Sequence, residues 1–580
     1  MSDFRPLPLQ GQRTLILAFD PHLKAADVGR SDAVFVAGSR PCELAGLDYE
    51  PERISLRRLA SPLPCRALTQ FRPTAAVVNT LRSAWVGPIL AAARYGVDRF
   101  FLVDAPGSFF EVNARGALVL AGARTARRGL ARLPRSERLE ELLGQRFDPP
   151  WPSLEATGPA ARAIAAQAMA RPLRPLPEGP LRIVHFLGTL SPGGAERQLT
   201  YLAEGTRARG HRVEVWISHS LEGSNGHYAP RLRELGVKVR ALPTRKRTSL
   251  RPEGLERSGL SGRALKDLEE HVAAPSLIPL LQLLLDDPPH VLHCWLDQTN
   301  LVGALAGLAA GVPRVLISAR NVSPARLPRL LEPWFRETYH VLANCPRLTC
   351  VANSEAGAKD YAAWSESDPA AWKVVTNGFD VESLVPCSPE TRAATRATLG
   401  VAPDDFLVVG VFRLAEEKRP HDFLEVVRRL RERVPRLRVV HVGSGGLGQE
   451  VRAEADRLGL SKVLHFAGRR EDPWTILGAA DASLLTSEVE GLPNVALESQ
   501  ALEVPIVLTR AGGAAESIAE GKTGFVCEVG DLEAICERLE RLAQDPDLRQ
   551  RLGARGRERV ASEFSLERMV EATLALYPAR

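Results

Sequence analysis

One pattern constrains the fold of this 580-residue chain more than any other feature. Short apolar runs alternate with helical stretches, and this alternation occurs in three series along the chain. Near the N-terminus the runs are Thr14–Phe19, Ala33–Ala37, Ala75–Val78 and Phe100–Val103. Short apolar strands separated by helices are typical of parallel sheets that are buried on both faces. We therefore predict an α/β domain over residues 1–147, and the sequence assigns it no role.

A proline-rich segment, residues 148–180, follows this domain and is interpreted as a linker with an alanine-rich helical piece. The second domain, residues 181–390, opens on a βαβ unit with the helix Ala195–Arg209, and the third spans residues 391–563. Doubly wound sheets bind ligands at the carboxyl ends of their strands, so we expect a ligand in the cleft between these two domains. The predicted strands are Ile183–Leu187, Val213–Ile217, Val291–Trp295, Val315–Ser318, Cys350–Ala352 and Val374–Val375 in the second domain, and Phe406–Phe412, Leu437–Val442, Val463–Phe466, Ala482–Leu485, Ile506–Leu508 and Phe525–Cys527 in the third.

The composition, 45% hydrophobic and 25% charged residues, is ordinary for a soluble globular protein. A net charge of +6 is modest at this length, so no nucleic-acid partner is expected. The eight cysteines are scattered without zinc-site spacing, which favours a reduced, cytoplasmic protein. Neither a signal peptide nor an apolar run of about 18 residues is present, so membrane contact would be peripheral. The excess of arginine over lysine is typical of a GC-rich bacterial genome.

Two carboxylates, Glu490 and Glu498, lie eight residues apart around a turn that predicts the start of a helix. Separated by two helical turns, both acids can face one ligand. Between them, Gly491, Leu492 and Asn494 would present free backbone N–H groups and a positive helix end, which suits a phosphate. The alternative is a helix N-terminal acid and an unrelated surface acid.

Cations and glycine loops complete the candidate site. Arg413 and Lys418 follow a strand of the third domain and are either phosphate ligands or solvated loop cations. Gly193 and Gly194 follow the first strand of the second domain, and Gly445 follows the strand Leu437–Val442. Glycine turns before a helix bring backbone N–H groups close to a phosphate, although such a turn is also a common tight connection.

Taken in order, Gly193-Gly194-Ala195-Glu196-Arg197, Arg413, Lys418 and Glu490–Glu498 resemble the donor site of GT-B glycosyltransferases of family 4. The resemblance covers roughly residues 181–575. It implies two Rossmann-like domains, with residues 564–580 as a helix that crosses back to the second domain. It also implies a retaining, metal-independent hexosyltransferase that uses a UDP- or GDP-linked sugar as substrate and needs no cofactor.

By the same resemblance, Glu490 would hold hydroxyls of the transferred sugar and Glu498 the ribose hydroxyls. The Gly193-Gly194 loop would approach the diphosphate, and Arg413 and Lys418 would meet the charge of the leaving group. The candidate catalytic residues are Glu490, Arg413, Lys418 and His293. The donor-binding candidates are Gly193, Gly194, Arg413, Lys418, Gly445, Glu490, Gly491, Leu492, Asn494 and Glu498.

On the acceptor side, His293 closes a strand and would face the cleft, although a satisfied buried histidine is as reasonable an interpretation. Many relatives carry a second histidine after this strand, whereas Trp295 and Gln298 stand at the candidate positions here. Asp297 and Arg320 complete the acceptor-side candidates. No metal site is predicted, because the only Asp-x-Asp, residues 545–547, lies in a helical surface region.

The expected acceptors are cell-surface polysaccharides or lipid-linked saccharides. The basic stretch Arg231–Arg263 is either a solvated surface or a peripheral contact with the inner face of the cytoplasmic membrane. Two other functions fit the same residues: an epimerase or hydrolase of nucleotide sugars on the same fold, or a scaffold with a degenerate transferase. Residues 1–147 could likewise recruit the transferase to an assembly or carry a second activity.

Overall fold

The computed structural model describes six strands within residues 1–157, and residues 158–578 apart from 173, 243–249, 261–264, 266–271, 273, 328–329 and 333. The chain divides into two compact units. One comprises residues 1–152 with 328–332, and the other comprises residues 153–327 with 333–580.

The first unit contains a six-stranded sheet with the order β3-β2-β1-β4-β5-β6. Among the strands described here, the pairs between β1, β2, β3, β4 and β5 are parallel, and β6 is antiparallel to β5. Two residues separate β5 from β6, and so short a connection permits only antiparallel pairing. The helices predicted between these strands lie outside the described residues. The strands are β1 Arg13–Leu17, β2 Ala33–Ala37, β3 Glu52–Ile54, β4 Ala75–Asn79, β5 Arg99–Ala105 and β6 Ser108–Asn113.

The second unit begins with a seven-stranded parallel sheet, ordered β13-β12-β11-β10-β7-β8-β9. The strand order reverses between β7 and β10, and such a switch point opens a crevice at the carboxyl ends of the strands. All six predicted strands are confirmed to within two residues, and β9 was not predicted. The strands are β7 Arg182–Leu187, β8 Arg212–Ile217, β9 Lys238–Ala241, β10 Val291–Trp295, β11 Arg314–Ala319, β12 Leu348–Ala352 and β13 Trp372–Val374.

The third sheet is six-stranded and parallel, with the order β16-β15-β14-β17-β18-β19 and a switch point between β14 and β17. Its strands are apolar on both faces, as in Ile506–Leu508, where all three side chains are fully buried. The six predicted strands are confirmed with small shifts. They are β14 Phe406–Val411, β15 Leu437–Val442, β16 Leu464–Gly468, β17 Ala482–Leu485, β18 Ile506–Thr509 and β19 Gly524–Cys527.

Helices pack against the sheets of the second and third domains. Side chains cap several of them: the Ser354 hydroxyl accepts a hydrogen bond from the backbone N–H of Gly357, and the Asp531 carboxylate accepts one from Ala534. The helices are α1 Gly158–Ala170, α2 Gly194–Ala208, α3 Ala229–Glu234, α4 Pro252–Ser258, α5 Leu277–Asp286, α6 Asp297–Ala310, α7 Phe335–Ala343, α8 Glu355–Ser365, α9 Pro389–Thr398, α10 Pro420–Arg433, α11 Gly448–Arg457, α12 Pro473–Gly478, α13 Asn494–Ala501, α14 Leu532–Gln544, α15 Pro546–Glu563 and α16 Leu566–Leu574.

Helix α1 is the alanine-rich piece of the segment interpreted as a linker, and it is packed. Ala161 and Ile164 are buried, and α1 contacts α6 and α7. After the helix, Arg171 donates a hydrogen bond of 2.6 Å to the carbonyl oxygen of Ala309. This part of residues 148–180 therefore belongs to the second domain.

Helix α16 lies against α2, far from it in sequence. The contact is close: a Cβ at Gly205 of α2 would overlap the side chain of Val570. Tyr577 is fully buried beyond the end of α16. Nowhere in the part of the chain that the structure describes is a helix both long and apolar enough to cross a membrane.

Candidate functional site

The Gly193-Gly194 turn meets the third domain at Asn494. Gly193 is the N-cap of α2 with extended backbone angles, φ −113° and ψ 165°. The side-chain amide of Asn494, the first residue of α13, donates a hydrogen bond of 3.2 Å to the carbonyl oxygen of Gly194. A Cβ at Gly194 would lie 3.0 Å from the same amide nitrogen. The first turn of α2 and the start of α13, both predicted to bind the donor, are therefore in contact.

Glu490 and Lys418 form an ion pair in the third domain, with 2.5 Å between Nζ and Oε1. The lysine side chain is 19% exposed and the glutamate side chain 10% exposed. The same carboxylate oxygen accepts a hydrogen bond of 2.7 Å from the Ser487 hydroxyl. Next to it, the backbone N–H of Gly513 donates to the carbonyl oxygen of Glu490 at 3.2 Å. The structure thus brings together the two residues that the sequence placed on the sugar and on the leaving group.

The side chain of Arg413 is more exposed than that of Lys418. Its guanidinium is 66% exposed and lies 2.8 Å from the carboxylate of Glu417. Burial raises the pKa of the Glu196 carboxyl in α2, and the positive charge of Arg413 partly offsets that rise in pKa. The guanidinium of Arg413 is therefore close enough to the first turn of α2, in the second domain, to influence the Glu196 carboxyl.

Gly445 packs on the segment that carries Arg413. A Cβ at Gly445 would overlap the carbonyl oxygen of Leu414, and the N–H of Leu447 donates 3.1 Å to that same oxygen. Only glycine permits so close an approach of the two loops. The loop after β15 is thereby held beside the loop after β14.

Glu498 faces another cation. It is nearly buried in α13, and its carboxylate accepts a hydrogen bond from the guanidinium of Arg197 in α2. That guanidinium lies 5.9 Å from the ring centre of Phe379 and 5.6 Å from that of Trp474. The two acids of the motif are therefore paired with different cations, Glu490 within its own domain and Glu498 across the cleft.

Asn377 joins the two domains near Leu492. Its amide donates 2.8 Å to the carbonyl oxygen of Leu492 and 2.6 Å to the side-chain oxygen of Asn494. The guanidinium of Arg320 donates to the side-chain oxygen of Asn377. Burial lowers the pKa of Arg320 to about 9. The structure thus places Arg320, an acceptor-side candidate, next to Leu492 and Asn494, two residues predicted to bind the donor.

The backbone of Gly491 lies close to Asn353 and Arg320 of the second domain. A Cβ at Gly491 would lie 2.5 Å from Oδ1 of Asn353 and 2.7 Å from the carbonyl oxygen of Arg320. Any larger residue would push the domains apart at this point.

His293 lies in the core of the second domain and not on its surface. Its Nδ1 is 3.1 Å from the hydroxyl of Tyr577, and its Nε2 is 2.8 Å from the hydroxyl of Ser318. Burial lowers the pKa of His293 well below its ordinary value, so the ring is neutral. This geometry agrees with the interpretation as a satisfied buried histidine, and its catalytic role stays a prediction.

Trp295 is also buried, and its indole N–H donates 3.3 Å to Nδ1 of His185. The guanidinium of Arg320 lies 4.8 Å from the centre of the indole ring. Beyond it, the carboxylate of Asp297 accepts hydrogen bonds of 2.8 Å from Tyr339 and 2.6 Å from Tyr361. Burial raises the pKa of Asp297, and the two hydroxyls partly counter the increase. Of these acceptor-side candidates, Gln298 alone has an exposed side chain.

Three features were not assigned to the site from the sequence. Arg197 stands in the quoted glycine motif, and no role was given to it. Leu296 has φ 69° and ψ 150°, angles almost confined to glycine, and its side chain is exposed at the carboxyl end of β10. The carboxylate of Glu516 accepts hydrogen bonds from the backbone N–H groups at residues 355 and 356, at 2.8 and 2.7 Å, and so caps α8 of the opposite domain. Only Arg197 could have been found by its motif.

Comparison with known proteins gives two family matches. The model described as "Glycosyl transferases group 1" matches residues 391–559, and the "Glycosyl transferase 4-like domain" matches residues 193–378.

Among curated relatives, the Vi polysaccharide biosynthesis protein VipC/TviE of Salmonella typhi is 29% identical over 425 residues, 68% of this chain and 72% of that protein. The alpha-maltose-1-phosphate synthase of Mycolicibacterium smegmatis is 30% identical over 49% of this chain and 77% of that enzyme. The putative glycosyltransferase EpsD of Bacillus subtilis is 34% identical over 35% of this chain and 53% of its own length.

Among solved structures, Anabaena Alr3699/HepE in complex with UDP superposes with a TM-score of 0.56. At 21% identity, the match covers 68% of this chain and 99% of that one. A likeness at this identity shows the fold, and it confirms the two Rossmann-like domains of the GT-B arrangement.

Proposed function

We propose that this chain, which belongs to the group 1 glycosyltransferases, transfers a sugar from a nucleoside diphosphate sugar to a hydroxyl group of a saccharide acceptor. The Lys418–Glu490 pair carries the proposal. In this pair the Lys418 ammonium group, which suits a leaving phosphate, is in direct contact with the Glu490 carboxylate, which suits sugar hydroxyls. Gly491, next to that carboxylate, contacts the second domain, so the pair lies at the domain boundary.

The leaving nucleoside diphosphate gains negative charge as the glycosidic bond breaks. In this proposal Lys418 and Arg413 stabilise that charge, and the N-terminus of α2 adds the positive end of a helix dipole. A preorganised contact of this kind typically lowers a barrier by about 3 kcal/mol. Because these two cations supply the charge that a divalent metal would otherwise give, we propose that the reaction needs no metal.

Two carboxylates divide the donor between them in this proposal. Glu490 accepts hydrogen bonds from the transferred sugar, because it lies beside Lys418, and Glu498 accepts them from the ribose, eight residues along the chain. Ionised carboxylates accept hydroxyl protons strongly, and two acids at fixed spacing would set the donor's orientation.

We further propose retention of the anomeric configuration. The support is the family resemblance, since the site offers no residue that we can name as a covalent nucleophile. The acceptor hydroxyl would then attack from the face that the diphosphate leaves, and the leaving phosphate would take its proton.

The acceptor that we propose is a growing polysaccharide or a lipid-linked saccharide of the bacterial cell envelope. The Salmonella typhi relative, a Vi polysaccharide biosynthesis protein, supports this class. UDP is the favoured nucleotide because HepE was solved with UDP and with UDP-glucose. Within the basic stretch Arg231–Arg263, described in part, Arg231 pairs with Glu204 at 2.8 Å. Peripheral contact of this stretch with the cytoplasmic membrane stays a proposal.

Product analysis tests the proposed reaction. The protein is incubated with UDP- and GDP-linked sugars in EDTA, with and without saccharide acceptors, and the products are identified by mass spectrometry and proton NMR. We expect a new α- or β-glycoside with the anomeric configuration of the donor, formed only with acceptor. If the main product is a free sugar or an epimerised nucleotide sugar, the enzyme catalyses hydrolysis or epimerisation, and the proposed transfer is wrong.

A further inference from the structure

Arg320, which follows β11, carries a positive charge that no acidic side chain among the described residues offsets. Burial lowers its pKa to about 9, so the guanidinium is still charged at neutral pH. Two other arginines of the second domain, Arg182 and Arg197, each form an ion pair with a glutamate. A charge that is removed from water without a counterion is costly, which indicates a role for Arg320 beyond packing.

The guanidinium of Arg320 is also short of hydrogen-bond partners. Its Nη2 donates to the side-chain oxygen of Asn377, whereas the buried Nε has no partner within the described part of the chain. The group lies 4.8 Å from the centre of the Trp295 ring, which supports one side of it. Arg320 as a whole is half-buried, so it is not sealed inside the core. Its donors form a planar fork that matches the two oxygens of a carboxylate.

The contacts of Asn377 place this fork beside the transferred sugar of the proposed reaction. The amide of Asn377 donates 2.8 Å to the carbonyl oxygen of Leu492 and 2.6 Å to the side-chain oxygen of Asn494. Both residues follow closely after Glu490, the acid proposed to accept hydrogen bonds from that sugar. The charge of Arg320 is therefore one side chain away from the segment assigned to the sugar.

We propose that Arg320 binds a carboxylate on the transferred sugar, so that the enzyme selects nucleoside diphosphate hexuronates over their neutral counterparts. This inference rests on the proposed function, because it places the transferred sugar beside Glu490. A hexuronate carboxylate supplies the counterion that Arg320 lacks and accepts two of its N–H groups at once. The other anion of the donor is its diphosphate, to which the proposed function already assigns Lys418, Arg413 and the N-terminus of α2.

Calorimetric titration of the full chain with matched donors tests this selection. UDP-glucose is compared with UDP-glucuronate, UDP-galactose with UDP-galacturonate, and GDP-mannose with GDP-mannuronate, so that each pair differs only at C6. We expect the wild type to bind the acidic member of one pair roughly thirtyfold more tightly than the neutral member. Arg320→Met should reduce this preference to less than about twofold, and Arg320→Lys, which keeps the charge without the fork, should retain roughly fivefold.

Two controls separate selection of the sugar from a general effect on the fold. The affinity for free UDP or GDP should be the same in Arg320→Met as in the wild type, whereas a distorted site would lose it. Arg326→Met removes an exposed arginine of the second domain that lies 3.2 Å from Asp360, and it should keep the wild-type preference. If the methionine variant does not fold, the reduced preference of Arg320→Lys carries the test.

The remaining outcomes distinguish this inference from the proposed function. If the wild type binds the nucleotides but no acidic donor more tightly than its neutral counterpart, the selection is refuted and the donor site stands. A preference that survives in both Arg320 variants, or an equal loss of both members of a pair, refutes it as well, and the equal loss would assign Arg320 to the diphosphate. If the wild type binds neither the free nucleotides nor any of these donors, the donor site itself is wrong and the inference fails with it.

Transfer assays distinguish the donor from the acceptor as the source of the carboxylate. Saccharide acceptors that end in glucose are compared with acceptors that end in glucuronate, in the wild type and in Arg320→Met. We expect the variant to change the two rates by the same factor. A dependence on Arg320 that appears only with the acidic acceptor would move the carboxylate to the acceptor and overturn the proposal.

Discussion

Replacing Lys418 with methionine should destabilise the protein as well as slow turnover. An exposed cleft cation would contribute little to stability. The Lys418 side chain, however, is only 19% exposed, and its ammonium group lies 2.5 Å from the Glu490 carboxylate.

The size of the effect follows from that burial. Exposed ion pairs contribute up to about 1 kcal/mol, whereas removal of one partner from a fully buried pair costs about 3–5 kcal/mol. The Lys418–Glu490 pair lies between these limits, and the Ser487 hydroxyl continues to donate to Glu490 after the lysine is lost. We therefore expect Lys418→Met to lower the free energy of unfolding by about 2 kcal/mol.

A double-mutant cycle measures the coupling itself. Urea unfolding followed by circular dichroism is compared for the wild type, Lys418→Met, Glu490→Gln and the double variant. We expect the loss of unfolding free energy in the double variant to be about 1 kcal/mol smaller than the sum of the losses in the two single variants. The reason is that neither group is then left as an unpaired charge. A coupling of less than about 0.3 kcal/mol, which is within the range of additivity, would refute the pairing. Nucleoside diphosphate release should fall by about a hundredfold in each single variant.

Three further predictions concern residues outside this pair. Glu516→Gln removes the charge that caps α8 and should lower the free energy of unfolding by about 1 kcal/mol in urea, and an unchanged unfolding midpoint would contradict the interdomain contact. Because Leu296 has φ 69°, Leu296→Gly should be more stable than Leu296→Ala by about 1 kcal/mol, and the reverse order would refute the strain. Burial lowers the pKa of His441 from 6.5 to about 4, so protonation favours the unfolded chain; stability should fall by about 1.4 kcal/mol per pH unit as pH drops from 6.5 to 4. Urea titrations of His441→Phe should show a shallower decline, and an equal decline would exclude this histidine as its source.

Buried strands were the most predictable part of the fold. Ala482–Leu485 was predicted residue for residue, because a central parallel strand is apolar on both faces. Strand β9, Lys238–Ala241, was missed because its residues are exposed or half-exposed and two of them are basic. Helix α1 was interpreted as part of a linker, since the prolines around it gave a stronger signal than its buried side chains, Ala161, Ile164 and Ala168.

The candidate site was predictable in its residues and less so in their partners. The motif spacing named Lys418 and Glu490, but their mutual contact depends on how the loops after β14 and β17 come together. Similarly, no local pattern indicates that Arg197 faces Glu498, because 301 positions separate them in the chain. The position of His293 in the core follows from its contacts with Ser318 and Tyr577, which only the tertiary fold brings to it.

The central claim is that this chain binds a nucleoside diphosphate sugar through cations rather than through a metal. Calorimetric titration of the purified protein in EDTA, against a panel of uridine and guanosine diphosphate sugars, tests it most directly, with Lys418→Met as the matched variant. The account predicts saturable binding of one donor by the wild type and a loss of at least tenfold in affinity in the variant. Binding that appears only when a divalent metal is restored, or that survives the loss of Lys418 unchanged, would contradict it.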